Sequence, residues 1–225
     1  SIILLTSAIF TALLCMKFIK GVDFEVAAPF IIVGYFVAPI ATVILSFIMS
    51  ASPTVSKTLA IPYAILEGVS IGCVCGLLKI ALGEVGGAIV GLAFVVTLTF
   101  FLAGSVVYAT GLIKVGGRLR RFAFLLGLGL ILSSLVILIG SLINPGIYDL
   151  FYGNGSIALI FSFASVLIAS VYSLITLDNA KRMVEGGMSK KYEWYCAFGI
   201  ILNVIWLFWE ILRLILIIFS RSNRN

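Results

Sequence analysis

FAFLLGLGLILSSLVILIGSLI, Phe122 to Ile143, is the stretch whose reading decides the fold: it runs 22 residues without a charged side chain. A membrane-spanning helix needs about 20 predominantly apolar residues. Inside a bilayer only helices and closed barrels satisfy their own backbone N–H and C=O groups. A barrel would alternate apolar and polar residues in segments of about ten. A continuous apolar run is therefore read as a helix in lipid.

Working outward, the same pattern recurs. The apolar runs are Ile2–Met16, Ala27–Met49, Leu59–Leu82, Gly86–Ile113, Phe122–Ile143, Ser156–Leu177 and Tyr195–Phe219. They predict an all-α membrane protein, a single integral membrane domain over residues 1–225 with seven transmembrane helices. Each break has a physical cause: Lys17 to Glu25 is charged, and Ser52-Pro53-Thr54 interrupts the second run. Gly83-Glu84 with Gly86-Gly87 reads as a tight turn, Lys114–Arg121 as a basic loop, and Asn144-Pro145-Gly146 to Gly155 as a turn-rich polar loop. Asp178 to Glu193 is charged and reads as a further loop. Ser1–Met16 lacks the basic flank and cleavage site of a signal peptide. It is expected to be a trimmed first span, with a short cytosolic head before it.

Of the 225 residues, 62% are hydrophobic and 11% charged. A soluble domain has about 25% charged residues, because a small globule must cover itself with polar surface. The formal net charge of +6 would point to nucleic acid in a soluble protein. Here the bases sit in short loops between spans, so they read as topology signal and anionic-lipid contact, with no nucleic-acid partner. With the N-terminus inside, the inner loops hold Lys57, Lys114, Arg118, Arg120, Arg121, Lys181, Arg182, Lys190 and Lys191. The other side holds Lys17, Lys20, Lys79, Arg213, Arg221 and Arg224. The count favours a cytoplasmic N-terminus, against the pull of the basic C-terminus. Cys15, Cys73, Cys75 and Cys196 all lie in or beside apolar runs and read as buried free thiols, lacking metal-ligand spacing.

An ionisable group within a span costs several kcal/mol unless it is paired or hydrated, which makes each one a functional candidate. Glu67, in Pro62-Tyr63-Ala64-Ile65-Leu66-Glu67-Gly68, is remote from the basic residue of its own run, Lys79. Another helix or water must satisfy it, either as helix glue or as part of a polar path. Glu210 and Arg213 are three apart on one helical face and can pair directly. Glu193 opens the last run beside Trp194 and Tyr195, where an acid suits the helix dipole and the aromatics suit the interface. Asp178 falls where the sixth run meets a charged segment, as a cap or as an acid at the mouth of a polar path.

Three motifs carry a family resemblance. Tyr192-Glu193-Trp194-Tyr195-Cys196-Ala197-Phe198-Gly199 with Val204-Ile205-Trp206-Leu207-Phe208-Trp209-Glu210-Ile211-Leu212-Arg213-Leu214 resembles the closing signature of the Bax inhibitor-1 superfamily, in its bacterial YccA-like branch. Ile61 to Gly68 resembles that family's third-span motif, and Tyr108-Ala109-Thr110-Gly111-Leu112-Ile113-Lys114-Val115 its fourth-span exit. The resemblance implies a seven-helix bundle with the last helix central. It also implies a bacterial inner-membrane location and an activity as a pH-sensitive calcium leak channel. In that family a pair of aspartates near an arginine senses pH. Asp178 matches the first, while Asn203 stands at the second. A carboxylate and an amide cannot share a proton as two carboxylates do, which puts the family's coupled titration in doubt. Glu193 and Glu210 are the acids available to substitute.

Calcium prefers several oxygen ligands, often carboxylates. Glu67, Asp178 and Glu210 are the acids that would line a central path, with transient calcium expected at Glu67 and Asp178. The chain has no histidine, so a physiological pH response must come from carboxylates or thiols. No cofactor is expected. The alternative from another class is a non-transporting membrane protein that engages a membrane-bound protease or a cell-death partner. Small residues such as Ala103, Gly104, Ser105, Gly127 and Gly129 would let helices approach closely in either case. An intramembrane enzyme is disfavoured: a Ser–His dyad and a His-Glu-x-x-His helix are impossible without histidine, and Asp149 and Asp23 lie in loops.

Overall fold

A computed structural model describes residues 7–8, 11–12, 15, 29–113, 115–187 and 192–223. The expected first span, 2–16, and the bases Lys17, Lys20, Lys114, Lys190, Lys191 and Arg224 lie largely or wholly outside them; Ser7, Ala8, Thr11, Ala12 and Cys15 are helical. Seven helices follow: α1 (Pro29–Ala51), α2 (Ser56–Leu82), α3 (Glu84–Ala109), α4 (Gly117–Ile143), α5 (Pro145–Tyr152), α6 (Ser156–Glu185) and α7 (Glu193–Ser222). All except α5 are long and apolar enough to cross a membrane, giving six candidate spans among the described residues. The seventh expected span is the one outside them.

The breaks act much as read, with three corrections. The basic segment is already helical from Gly117, so Arg118, Arg120 and Arg121 ride on the first turns of α4. The polar segment after Ile143 contains α5. Asn144 accepts a hydrogen bond from the Gly146 N–H at 2.9 Å through its side chain, and Pro145 occupies the first turn. Both are strong helix-start signals. Finally, α6 continues to Glu185, so Asp178 lies inside a helix and not at its end. Elsewhere, α1 widens to a π-helical turn over Val33–Val37, where the Ala38 N–H bonds to the Val33 carbonyl. Pro39 follows and has no N–H to continue the normal ladder. Glu193 in the first turn of α7 and Arg221 in its last both suit the helix dipole.

The chain divides into two compact units, one of Ser1–Val90 with Ala180–Ile201, the other of Gly91–Asn179 with Leu202–Asn225. In both, many large apolar side chains face outward, while small and polar side chains are prominent among the buried ones beside Met49, Tyr63, Leu207 and Leu212. Phe47 is 73% exposed and Leu142 82%, while Ala60, Ala64, Ala158, Ser162 and Ala169 are fully buried. Water would not tolerate so extensive an apolar exterior, whereas lipid requires it.

In the first unit α1 packs on α2. A Cβ at Gly34 would fall 2.1 Å from Cys73 Sγ, and one at Gly72 would fall 2.6 Å from the Ala12 carbonyl oxygen. At Gly72 the backbones come together as closely as glycine alone permits, while Gly34 makes room for the Cys73 side chain. The Tyr63 and Phe198 rings meet edge to face, 5.2 Å between centroids. All four cysteines are free thiols; Cys15, Cys73 and Cys75 are buried and Cys196 is half-buried, its Sγ 3.2 Å from Met183 Sδ.

In the second unit α4 packs on α5. Of the small residues noted above, Gly127 has the clearest role, since a Cβ there would lie 2.2 Å from Tyr172 Oη. That hydroxyl donates to the Ala123 carbonyl at 3.1 Å. Gly127→Ala is therefore expected to break the Tyr172 bond and cost about 1–3 kcal/mol. In a detergent unfolding titration Tyr172→Leu should restore most of that loss; two additive losses would refute the packing assignment.

Candidate functional site: a polar seam between α6 and α7

One buried face of α6 carries small and hydroxylated residues at helical spacing: Ala158, Ser162, Ser165, Ala169 and Ser173, with Thr176 continuing the line. Ser165 donates to the Phe161 carbonyl at 3.0 Å, Ser173 to Ala169 at 3.1 Å and Thr176 to Tyr172 at 3.0 Å. These bonds satisfy the hydroxyls without water. One face of α7 carries Asn203, Trp206, Glu210 and Arg213. The two faces meet: Asn203 Nδ2 donates to Thr176 Oγ1 at 2.6 Å, and Arg213 Nε to Ser162 Oγ at 3.4 Å. Between them the Tyr172 and Trp206 rings pack edge to face. From Ser162 to Asp178 the seam runs roughly 24 Å at 1.5 Å per residue, most of a hydrocarbon core.

Charge is concentrated at the two ends. At one, Asp178 is 7% exposed. Its Oδ1 accepts from the Tyr108 hydroxyl of α3 at 2.9 Å, and its Oδ2 is in an ion pair with Arg120 of α4. Tyr108 and Arg120 are the members of this candidate site that sequence reasoning does not single out. Arg120 belongs to the basic run Lys114–Arg121, yet it is the base of its cluster that turns onto a buried acid. Tyr108 stands first in the quoted Tyr108–Val115 motif, a signal available from sequence. At the other end Arg213 Nη2 lies 3.3 Å from Glu210 Oε2, the i,i+3 pair expected. Trp206 Nε1 donates to Glu210 Oε1 at 3.3 Å. The guanidinium sits 4.9 Å from the Tyr152 ring centroid and 5.4 Å from that of Phe161, within cation–π range of both.

Glu67 lies in the first unit, 9% exposed on the buried face of α2. The hydroxyls of Thr42, from α1, and Tyr63, one turn earlier, lie against its carboxyl. Thr42 Oγ1 also donates to the Pro39 carbonyl at 3.0 Å. A neighbouring helix thus brings the Thr42 hydroxyl beside Glu67, although that hydroxyl donates to Pro39. Glu193 stands at the start of α7, the dipole position. The structure thus joins Asn203, Glu210 and Arg213 to one seam with Asp178 at its end. Among the described residues no three or more His, Cys, Asp or Glu side chains gather as a metal site. A cation at either Glu67 or Asp178 would meet one carboxylate with hydroxyl neighbours, which is short of the six to eight oxygens of a holding calcium site.

A family model described as Bax inhibitor 1 like matches residues 1–220. Neither a curated protein nor a solved structure matches the chain.

Proposed function

Because the chain belongs to the Bax inhibitor 1 like family, we propose that it is a pH-sensitive leak pathway for calcium or a similar cation, lined by buried carboxylates. The observation that carries this reading is the hold on Asp178 by Arg120 and Tyr108. A carboxylate attracts the guanidinium; a protonated carboxyl does not. Acid would release Arg120 and so change the closure of that end of the seam. Asn203 donates to Thr176, so the pH sensor proposed here is a carboxylate–arginine latch and not a proton shared by two acids. The sparse oxygen environment of Glu67 and Asp178 suits an ion in transit. In this reading no enzymatic chemistry and no resident cofactor are involved. We place the protein in the YccA-like branch, with the last helix central to a seven-span bundle, the N-terminus cytoplasmic and the bacterial inner membrane as its site.

The experiment is calcium influx into dye-loaded liposomes at neutral and mildly acidic pH. Wild type should conduct with a pH-dependent rate. Glu67→Gln, which keeps size and hydrogen bonding but removes the charge, should change that rate by about tenfold, the equivalent of 1.4 kcal/mol at the barrier. No flux above empty liposomes from folded protein would shift the weight to the non-transporting alternative, an interaction with a membrane protease or stress partner.

A further inference from the structure

The short helix α5 is placed unlike the spans around it. It has eight residues, begins at the Asn144 cap and Pro145, and ends at Gly153. Asn144 and Gly153 both have extended backbone, so the helix is bounded on each side by a non-helical joint. Its Tyr148 and Leu150 are half exposed, at 50% and 47%, whereas its last residues turn inward. Phe151 and Tyr152 both pack edge to face on Phe161 of α6. The Tyr152 hydroxyl bonds with Ser134 Oγ of α4 at 3.1 Å, and its ring covers the Arg213 guanidinium. One side chain therefore ties α5 to α4, α6 and α7 together.

The Arg213 charge is otherwise weakly held for its depth. Its side chain is 21% exposed, its ion pair with Glu210 spans 3.3 Å, and its bond to Ser162 is long at 3.4 Å. A desolvated guanidinium between two ring faces gains substantially from the rings. Removing the ring would leave a cation at the end of the seam with fewer partners and an opening for water.

We propose that α5 is a strap, and that Tyr152 is a positioning residue which holds the Glu210–Arg213 pair as the closure of the seam at the end away from Asp178. Lifting α5 about its two joints withdraws the ring from Arg213 and admits water along the Ser162–Ser165 face. The strap is independent of whether calcium passes; only its consequence for flux rests on the leak reading.

The test uses Ser165→Cys, fully buried on the seam one turn from Ser162, as a reporter in the full chain. Labelling by a charged, water-soluble maleimide is counted by intact mass, against the same chain without the reporter to subtract the four native thiols. Added Tyr152→Ala should speed labelling at position 165 by at least about tenfold. Ser134→Ala, which removes only the hydroxyl anchor, should give a smaller rise in the same direction. Unchanged labelling in a folded Tyr152→Ala protein overturns the strap. If that variant does not fold, unchanged labelling in Ser134→Ala overturns it instead. Faster labelling in a protein that passes no calcium upholds the strap and refutes the leak, so the two readings fail separately.

Discussion

Asparagine at position 178 is expected to uncouple the protein from pH and to lower its stability by about 1–3 kcal/mol. Asp178 is nearly inaccessible, and it holds both a phenolic hydroxyl and a guanidinium from two other helices. Removing one partner of a buried pair leaves the other charge uncompensated, a loss of about 3–5 kcal/mol in a dry site. The Arg120 side chain is 34% exposed, however, so water and salt recover part of that loss, as they do at surface pairs. Arg120→Gln removes the same attraction from the other side. The two substitutions should therefore be far from additive: a double-mutant cycle in detergent unfolding should give a coupling of about 1 kcal/mol or more at neutral pH. The sign with pH follows from charge alone. The coupling is present while Asp178 is ionised and lost at a pH low enough to protonate it. On the proposed leak function, the pH dependence of flux should vanish in both single variants. Additive losses, or a coupling that survives acid, would show that the pair is structural decoration and no latch.

Leucine at Gly72 is expected to have the largest effect on folding, about 3 kcal/mol or more. A Cβ at that position would sit 2.6 Å from the Ala12 carbonyl oxygen, 2.7 Å from Cys15 Cβ and 3.0 Å from Ala12 Cα. Two of these three atoms are backbone, which cannot swing aside as a side-chain tip does, so the first helical segment would have to move off α2. Gly91 supplies the control. Nothing lies within 4 Å of a Cβ there, and Gly91→Ala should be neutral or stabilising by up to about 1 kcal/mol, from helix propensity alone. Fluorescence-detected thermal unfolding of the two variants separates the cases. A Gly72→Leu protein as stable as wild type would mean that the segment containing Ala12 and Cys15 is not seated on α2.

Parts of the candidate site are legible in the sequence, and the boundary between legible and illegible is physical. Glu210 and Arg213 were readable as a pair because three residues of helix bring them together whatever the tertiary context. Glu67 was readable as needing a partner from elsewhere, because burial of an acid imposes that requirement, but nothing local names Thr42. The segment after Ile143 was read as a loop because Asn-Pro-Gly is turn chemistry. The same residues are also a helix start, and eight residues are too few for periodicity to arbitrate. Arg120 went unread because Arg118, Arg120 and Arg121 are chemically alike, and only the helical phase of α4 selects which of them faces Asp178.

The sequence by itself determined the solvent, the approximate extent of the six spans among the described residues, the family, and the need for buried acids to be satisfied. These depend on composition and on contacts within a few residues. Tertiary structure alone decided which acid meets which base, that Asn203 binds Thr176, and that Arg213 is enclosed by Tyr152 and Phe161. In a soluble helix the polar face declares which side points inward. Here lipid rewards apolar residues on the outside as the core does on the inside, so hydropathy carries little rotational information. Only the packed helices reveal which narrow stripe of serines, alanines and glycines is turned toward a neighbour.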